Sequence, residues 1–226
     1  VDELLAANRA AVAALVADSA APAWDNFVAP LENASERLQR AWGQVGHLNA
    51  VMNSPELREV YNANLPKITQ YYTELGQNQG LFEKFRRLKA GAEFANLTRA
   101  QRAIVEHELR DFRLGGAELA ADRKARFTEI REKLSSLSSR FSDNLLDATN
   151  AFSHVVEDEK TISGIPDDVL QTAREAAQRD GKAGWKFTLH APSYMPLMQY
   201  ADERALRRSI YRAYATRASE FGTPAW

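Results

Sequence analysis

Apolar residues recur at helical spacing along almost the whole chain. Leu4, Leu5, Val12, Leu15 and Val16, set in an Ala-rich background, predict a helix over 2–19 that Pro22 ends. From Asp25 to about Met52, Phe27, Leu31, Ala34, Leu38, Trp42, Val45 and Leu48 advance by three or four and so share one face. Pro30 falls in the first turn or so of that helix, where its missing N–H costs little. Ser54 as N-cap and Pro55 at the first helical position then restart the chain. The stripe continues through Leu57, Tyr61, Leu65, Ile68, Tyr72 and Leu75, and Pro66 inside it predicts a kink rather than a stop. Gly76 and Gly80 loosen the link to a short helix over 81–89. Thr98 followed by Gln101 is a capping-box pattern, and Gly115-Gly116 closes that helix.

The longest element is expected over 121–156. Phe127, Ile130, Leu134, Leu137, Phe141, Leu145, Ala148, Phe152 and Val155 step by threes and fours, a near-heptad seam that calls for a partner helix along its whole length. Its serines at 135, 136, 138, 139 and 142 need no catalytic role, because small side chains let neighbouring helices approach. A helix started by Pro166, with Asp167 and Asp168 in its first turn, leads to a Gly-containing exit. Trp185 to Leu189 alternates apolar and polar and is the best strand candidate; Thr161-Ile162 and the residues before it are the candidate partner in a small ribbon. A last helix opened by Asp202 should carry Leu206, Ile210, Tyr214 and Phe221 inward. The pattern gives a mainly α fold: a multi-helix domain over 1–226 with a long central helix and at most a small β ribbon, any subdivision falling near 157–190.

Composition narrows the function classes. A hydrophobic content of 45% in 226 residues supports a sizeable core, and the net charge of −1 gives no overall field toward nucleic acid or an anionic membrane. No apolar run approaches the ~20 residues needed to cross a bilayer, and the opening carries acids where a signal peptide carries a basic region. With no cysteine, disulfides, thiol catalysis and thiolate metal sites are excluded, and a reducing compartment, the cytoplasm, is favoured. The start at Val1 without a methionine and the end at Trp226 after a Gly-Thr-Pro turn signal suit a piece of a longer chain, although methionine removal before Val also explains the start.

The candidate chemistry is thin. Histidines 47, 107, 154 and 190 lie far apart, without the spacing of a metal site. The nearest approach is His107-Glu108-Leu109-Arg110-Asp111, where a zincin helix needs a second His in place of Asp111, so that two imidazoles one turn apart grip the metal while the Glu activates water. Arg110 and Glu106 make an ordinary charged helix face the stronger reading, with a metal site built from His107, Glu108 and Asp111 as the minor alternative. His47 and His190 read as packed or hydrogen-bonded. There is no G-x-S-x-G elbow, and Gly181-Lys182 lacks both the upstream glycine, replaced by Ala176, and the following Ser or Thr, replaced by Ala183. The Arg204 to Arg217 stretch could suggest RNA, but Tyr211 and Tyr214 interleave with Ile210 at helix spacing, and Asp202 and Glu203 sit nearby. Asp167-Asp168 and Asp158-Glu159 are helix-start and loop charges.

Several segments nevertheless resemble one family in the same order. WDNFVAPLENASERLQRAWGQVGHLNAVMNSPELREVYNANLP, HELRDFRLGG, REKLSSLSSRFSDNLLDATNAF and SYMPLMQYADERALRRSIYRAYATRAS look like the amino-terminal half of the thimet-oligopeptidase family of zinc metallopeptidases, with coverage from about Trp24 to Ser219. The resemblance implies a mostly helical wall of a deep channel that admits short unfolded peptides and excludes folded proteins. It also implies a parent enzyme whose zinc is held by an HExxH helix and a further glutamate, all in the carboxy-terminal half and none transferable to a position here. On this reading the chain itself has no catalytic, cofactor-binding or metal-binding residues and is inactive alone. Its partners are short peptides together with the catalytic half, and neither nucleic acid nor membrane. The alternative is a stand-alone helical scaffold or peptide-binding module without catalysis. A cut after Trp226 would also leave an apolar patch open to self-association.

Overall fold

In the computed structural model, which describes residues 1–217 and 219, helices dominate and the described residues divide into two compact units, Val1–Leu137 and Ser138 onward. The division falls inside the longest helix.

The first unit is built from α1 (Asp2–Ala17), a π-helical turn (Trp24–Val28), α2 (Ala29–Val51), α3 (Pro55–Gly76), α4 (Gln79–Ala90), the single turn α5 (Glu93–Asn96), α6 (Arg99–Leu114) and the start of α7 (Ala121–Ala151). Local signals set many of the boundaries. The Ala23 amide donates to Asn26 Oδ1 (2.8 Å), fixing entry to the π turn. Ser54 Oγ accepts from the Leu57 amide (3.2 Å), Pro55 opens α3, and Pro66 does not stop that helix. Asn78, unnoticed as a start signal in the sequence, caps α4 by accepting from the Leu81 amide (3.0 Å) and moves its start ahead of residue 81. Thr98 and Gln101 form the reciprocal capping box at the head of α6.

The core of this unit closes around Phe27, Leu81, Phe85, Leu88, Val105 and Phe112. Phe85 is fully buried, edge-on to Phe27 at 4.8 Å and tilted against Phe112 at 5.7 Å. A second cluster of Leu5, Leu38, Ile68 and Tyr71 joins α1, α2 and α3, flanked by a stacked Trp42–Tyr61 pair at 4.9 Å. Lys84 is buried within the unit, its ammonium donating to the Asp18 carbonyl (2.6 Å) and lying 5.8 Å from the Phe27 ring, so the buried charge keeps two partners.

The second unit continues from α7 into β1 (His154–Val156), a 3₁₀ turn (Glu159–Ile162), α8 (Asp167–Arg179), β2 (Trp185–Phe187), α9 (Ala191–Tyr200) and α10 (Arg204–Ala215). The strands pair antiparallel, His154 opposite Phe187 and Val156 opposite Trp185. Its core gathers Val156, Ile162, Phe187, Leu197, Leu206 and Ile210. Gly184 makes the ribbon's return possible: at φ +84°, a Cβ there would stand 2.1 Å from the Val156 carbonyl oxygen.

Several expectations change. The helix expected over 121–156 ends at Ala151, because Val155 and its neighbours join the ribbon instead. Thr161-Ile162 lies in the 3₁₀ turn, so the strand's partner is the segment before it. Asp202 does not open the last helix; its carboxylate takes the Ser163 hydroxyl (2.8 Å), and Glu203 caps by accepting from the Ala205 amide (2.8 Å). Residues 191–200, read only as part of a family-like segment, form α9. Phe221 lies outside the described residues. The α7 seam is covered only in part: Ala148 is buried, whereas Ile130 is 42% exposed, Leu134 53% and Leu137 38%.

Candidate functional site

The capping box starts α6 at Arg99, and its helical phase places Val105, Leu109 and Phe112 in the core. Glu108 and Asp111 then fall beside that buried face. At its far end α6 meets α3 backbone to backbone: a Cβ on Gly115 would stand 2.9 Å from the Gly76 carbonyl oxygen, an approach only glycine permits. Beside this contact opens a cleft of about 330 Å³, walled by Tyr72 of α3, Glu108 and Asp111 of α6, and Phe127 and Arg131 of α7.

Glu108 is half-buried there. Burial, reinforced by the carboxylates of Glu32 and Asp111, pushes its carboxyl up to about 7. Asp111 behaves oppositely, since its hydrogen bond from Arg110 Nε (2.8 Å) holds it below the usual carboxylate range. Burial also pushes the Tyr72 phenol up, with a contribution from Tyr71. The cleft therefore offers one group that exchanges a proton near neutrality, and no activated nucleophile beside it.

This geometry does not suit zinc. Among the described residues, no three His, Cys, Asp or Glu side chains gather as a metal ion requires. Of the zincin-like run, His107 stands exposed, Glu108 faces the cleft and holds its proton to about pH 7, and Asp111 is engaged by Arg110.

None of the other sequence candidates lines the cleft. His190 bridges Asn150 Oδ1 (3.1 Å, Nε2) and Thr188 Oγ1 (3.3 Å, Nδ1) at the head of α9, while His47 stands exposed on α2 rather than packed. His154 sits in β1. Gly181-Lys182 is the exit of α8, the amides of both returning to carbonyls of the last turn, Gln178 and Ala177. In α10, Tyr214 stacks on Tyr194 at 3.9 Å with the Arg217 guanidinium 3.6 Å from its ring, whereas Tyr211 is 57% exposed and lies off the packed face. No helix among the described residues is long and apolar enough to cross a membrane.

Sequence reasoning missed the cleft itself. Glu108 was visible only as part of a failed metal motif; the signal it lacked was the Gly76–Gly115 contact that sinks this stretch of α6 against α3.

Comparison with known proteins identifies the lineage. Residues 1–124 match the family model of the Neurolysin/Thimet oligopeptidase N-terminal domain. The chain is similar to Oligopeptidase A of Haemophilus influenzae, 47% identical over 199 residues, covering 88% of this chain and 29% of that protein. Against Oligopeptidase A of Salmonella typhimurium it is 42% identical over 222 residues, 98% of this chain and 33% of that one. Probable cytosolic oligopeptidase A of Arabidopsis thaliana is 37% identical over 205 residues, again covering 88% and 29%. The chain thus spans about a third of the length of the curated relatives it matches. It belongs to the thimet oligopeptidase family and corresponds to the amino-terminal region of that family's oligopeptidase A members.

Proposed function

We propose that residues 1–226 serve as the amino-terminal, channel-wall region of an oligopeptidase A-like zinc metalloendopeptidase that degrades short peptides in the cytoplasm. The observation that carries this reading is the 42–47% identity to bacterial oligopeptidase A enzymes over most of the chain. In this proposal residues of the family's carboxy-terminal half would hold a zinc ion, which would supply Lewis-acid activation of the scissile carbonyl and of water. This chain contributes shape instead. Rigid helical walls restrict entry to unfolded peptides, and the exposed apolar positions Ile130, Leu134 and Leu137 of α7 suit a surface that packs against the rest of the enzyme.

The test is hydrolysis of a short fluorogenic peptide by the chain alone, with its zinc content measured in parallel. Neither chelator-sensitive cleavage nor stoichiometric zinc is expected. Robust cleavage abolished by a chelator would overturn the proposal.

A further inference from the structure

The chain is close to neutral overall, yet one groove is not. Helices α4 and α6 lie side by side, and a groove of about 520 Å³ runs between the faces that carry Glu83, Arg86 and Arg87 on α4 and Glu106, Arg110 and Arg113 on α6. These positions recur by three, four and seven residues, so each set forms one continuous wall. Lys89 adds a fifth cation to the lining, against two carboxylates, and the floor is apolar, with Leu109 only 6% exposed.

The internal pairing leaves cationic capacity available. Glu83 is held by Arg86 (2.9 Å) and Glu106 by Lys89 (3.0 Å), which occupies both carboxylates of the lining. Arg110 and Arg113 pair with Asp111 (2.8 Å) and Glu118 (3.5 Å), which do not line the groove, and Arg87 has no ion-pair partner among the described residues. All four pairs are exposed, so each is weak and exchanges readily for a better acceptor.

The layout selects the ligand. From residue 106 to residue 113 the α6 wall advances about 10 Å, so its charges are strung along the groove rather than converging on one point as a single phosphate would require. An extended chain with spaced carboxylates matches that layout, each carboxylate able to take a guanidinium fork. A nucleic acid would meet no aromatic ring in the lining on which to stack a base. We propose that the groove between α4 and α6 docks an acidic peptide segment, at a site separate from the Glu108 cleft and independent of the peptidase reading.

The test is fluorescence anisotropy of the 226-residue chain with a labelled glutamate-rich decapeptide, its glutamine counterpart and a labelled single-stranded oligothymidine. The acidic peptide should bind, weaken at least about tenfold as salt rises from low to physiological strength, and outcompete the other two. The double variant Arg87→Gln/Arg110→Gln, with circular dichroism confirming its fold, should lose at least about tenfold in affinity. Arg208→Gln, an exposed cation on α10, should leave it unchanged. Equal binding of the glutamine peptide, unchanged affinity in the double variant, or binding of oligothymidine as tight as that of the acidic peptide would each overturn the assignment.

Discussion

Replacing Glu108 with glutamine should make the protein more stable above neutral pH and leave it unchanged in acid. In the folded chain the carboxyl is pushed from 4.5 up to about 7, first by burial, then by Glu32 and Asp111. Because the folded state holds its proton over a range where the unfolded chain has lost it, this group's contribution is fully present below about pH 4.5 and is lost as pH rises to about 7. The full rise would amount to about 3 kcal/mol. Solvent screening on the open side of the cleft, where Glu108 is only half-buried, reduces that to about 1–2 kcal/mol. Asp111 stays ionised through the window, since Arg110 holds it low, so the repulsion it exerts is constant. Glutamine mimics the protonated side chain and cannot lose the proton. Urea denaturation of both proteins at about pH 3.5 and pH 8 measures the effect: equal stabilities in acid, and a gain of about 1–2 kcal/mol for Glu108→Gln at pH 8. A difference of the same size at both pH values, or one confined to acid, would refute the buried-carboxyl argument.

Other substitutions test the remaining pieces of the structure. Phe85→Ala empties a fully buried site between Phe27 and Phe112 and should cost about 3–5 kcal/mol in urea denaturation, with Phe85→Leu losing less. Gly184→Ala places a methyl group 2.1 Å from the Val156 carbonyl at a positive φ and should cost about 1–3 kcal/mol or more, whereas Gly43→Ala, inside α2 with nothing within 4 Å, should gain about 0.5–1 kcal/mol. Thermal melts that rank these two glycines equally would contradict the close approach at Gly184. Thr98→Ala should cost about 1 kcal/mol through loss of the α6 capping box, and Thr98→Ser should recover most of it in the same melts.

Much of the helical frame was legible in the sequence because its signals are local. Ser54-Pro55, Thr98 with Gln101, and the three-four stripe of α2 each act within a turn or two, and the structure places their elements within a few residues of expectation. The ends of elements were harder. The apolar period through Phe152 and Val155 is compatible with helix, yet pairing of His154–Val156 with Trp185–Phe187 across the ribbon ends the helix at Ala151 and makes Val155 part of a strand, a long-range effect no local pattern contains. Residues 191–200 carry two prolines that weaken any local helix signal, although Pro192 sits in the first turn, where its missing N–H is harmless. The cleft was invisible for the same reason: Glu108 owes its character first to burial in the cleft beside the Gly76–Gly115 contact and then to Glu32 on another helix. The ordered family-like segments carried the lineage, which no spacing of chemical groups in this chain could have supplied.

If this chain is the amino-terminal region of an oligopeptidase A, it should be able to stand in for that region of a relative. Replacing the matching region of Haemophilus influenzae Oligopeptidase A with residues 1–226, and measuring cleavage of a short fluorogenic peptide with and without chelator, tests that directly. The predicted result is a folded chimera with chelator-sensitive cleavage. A chimera that folds and cleaves nothing would contradict it.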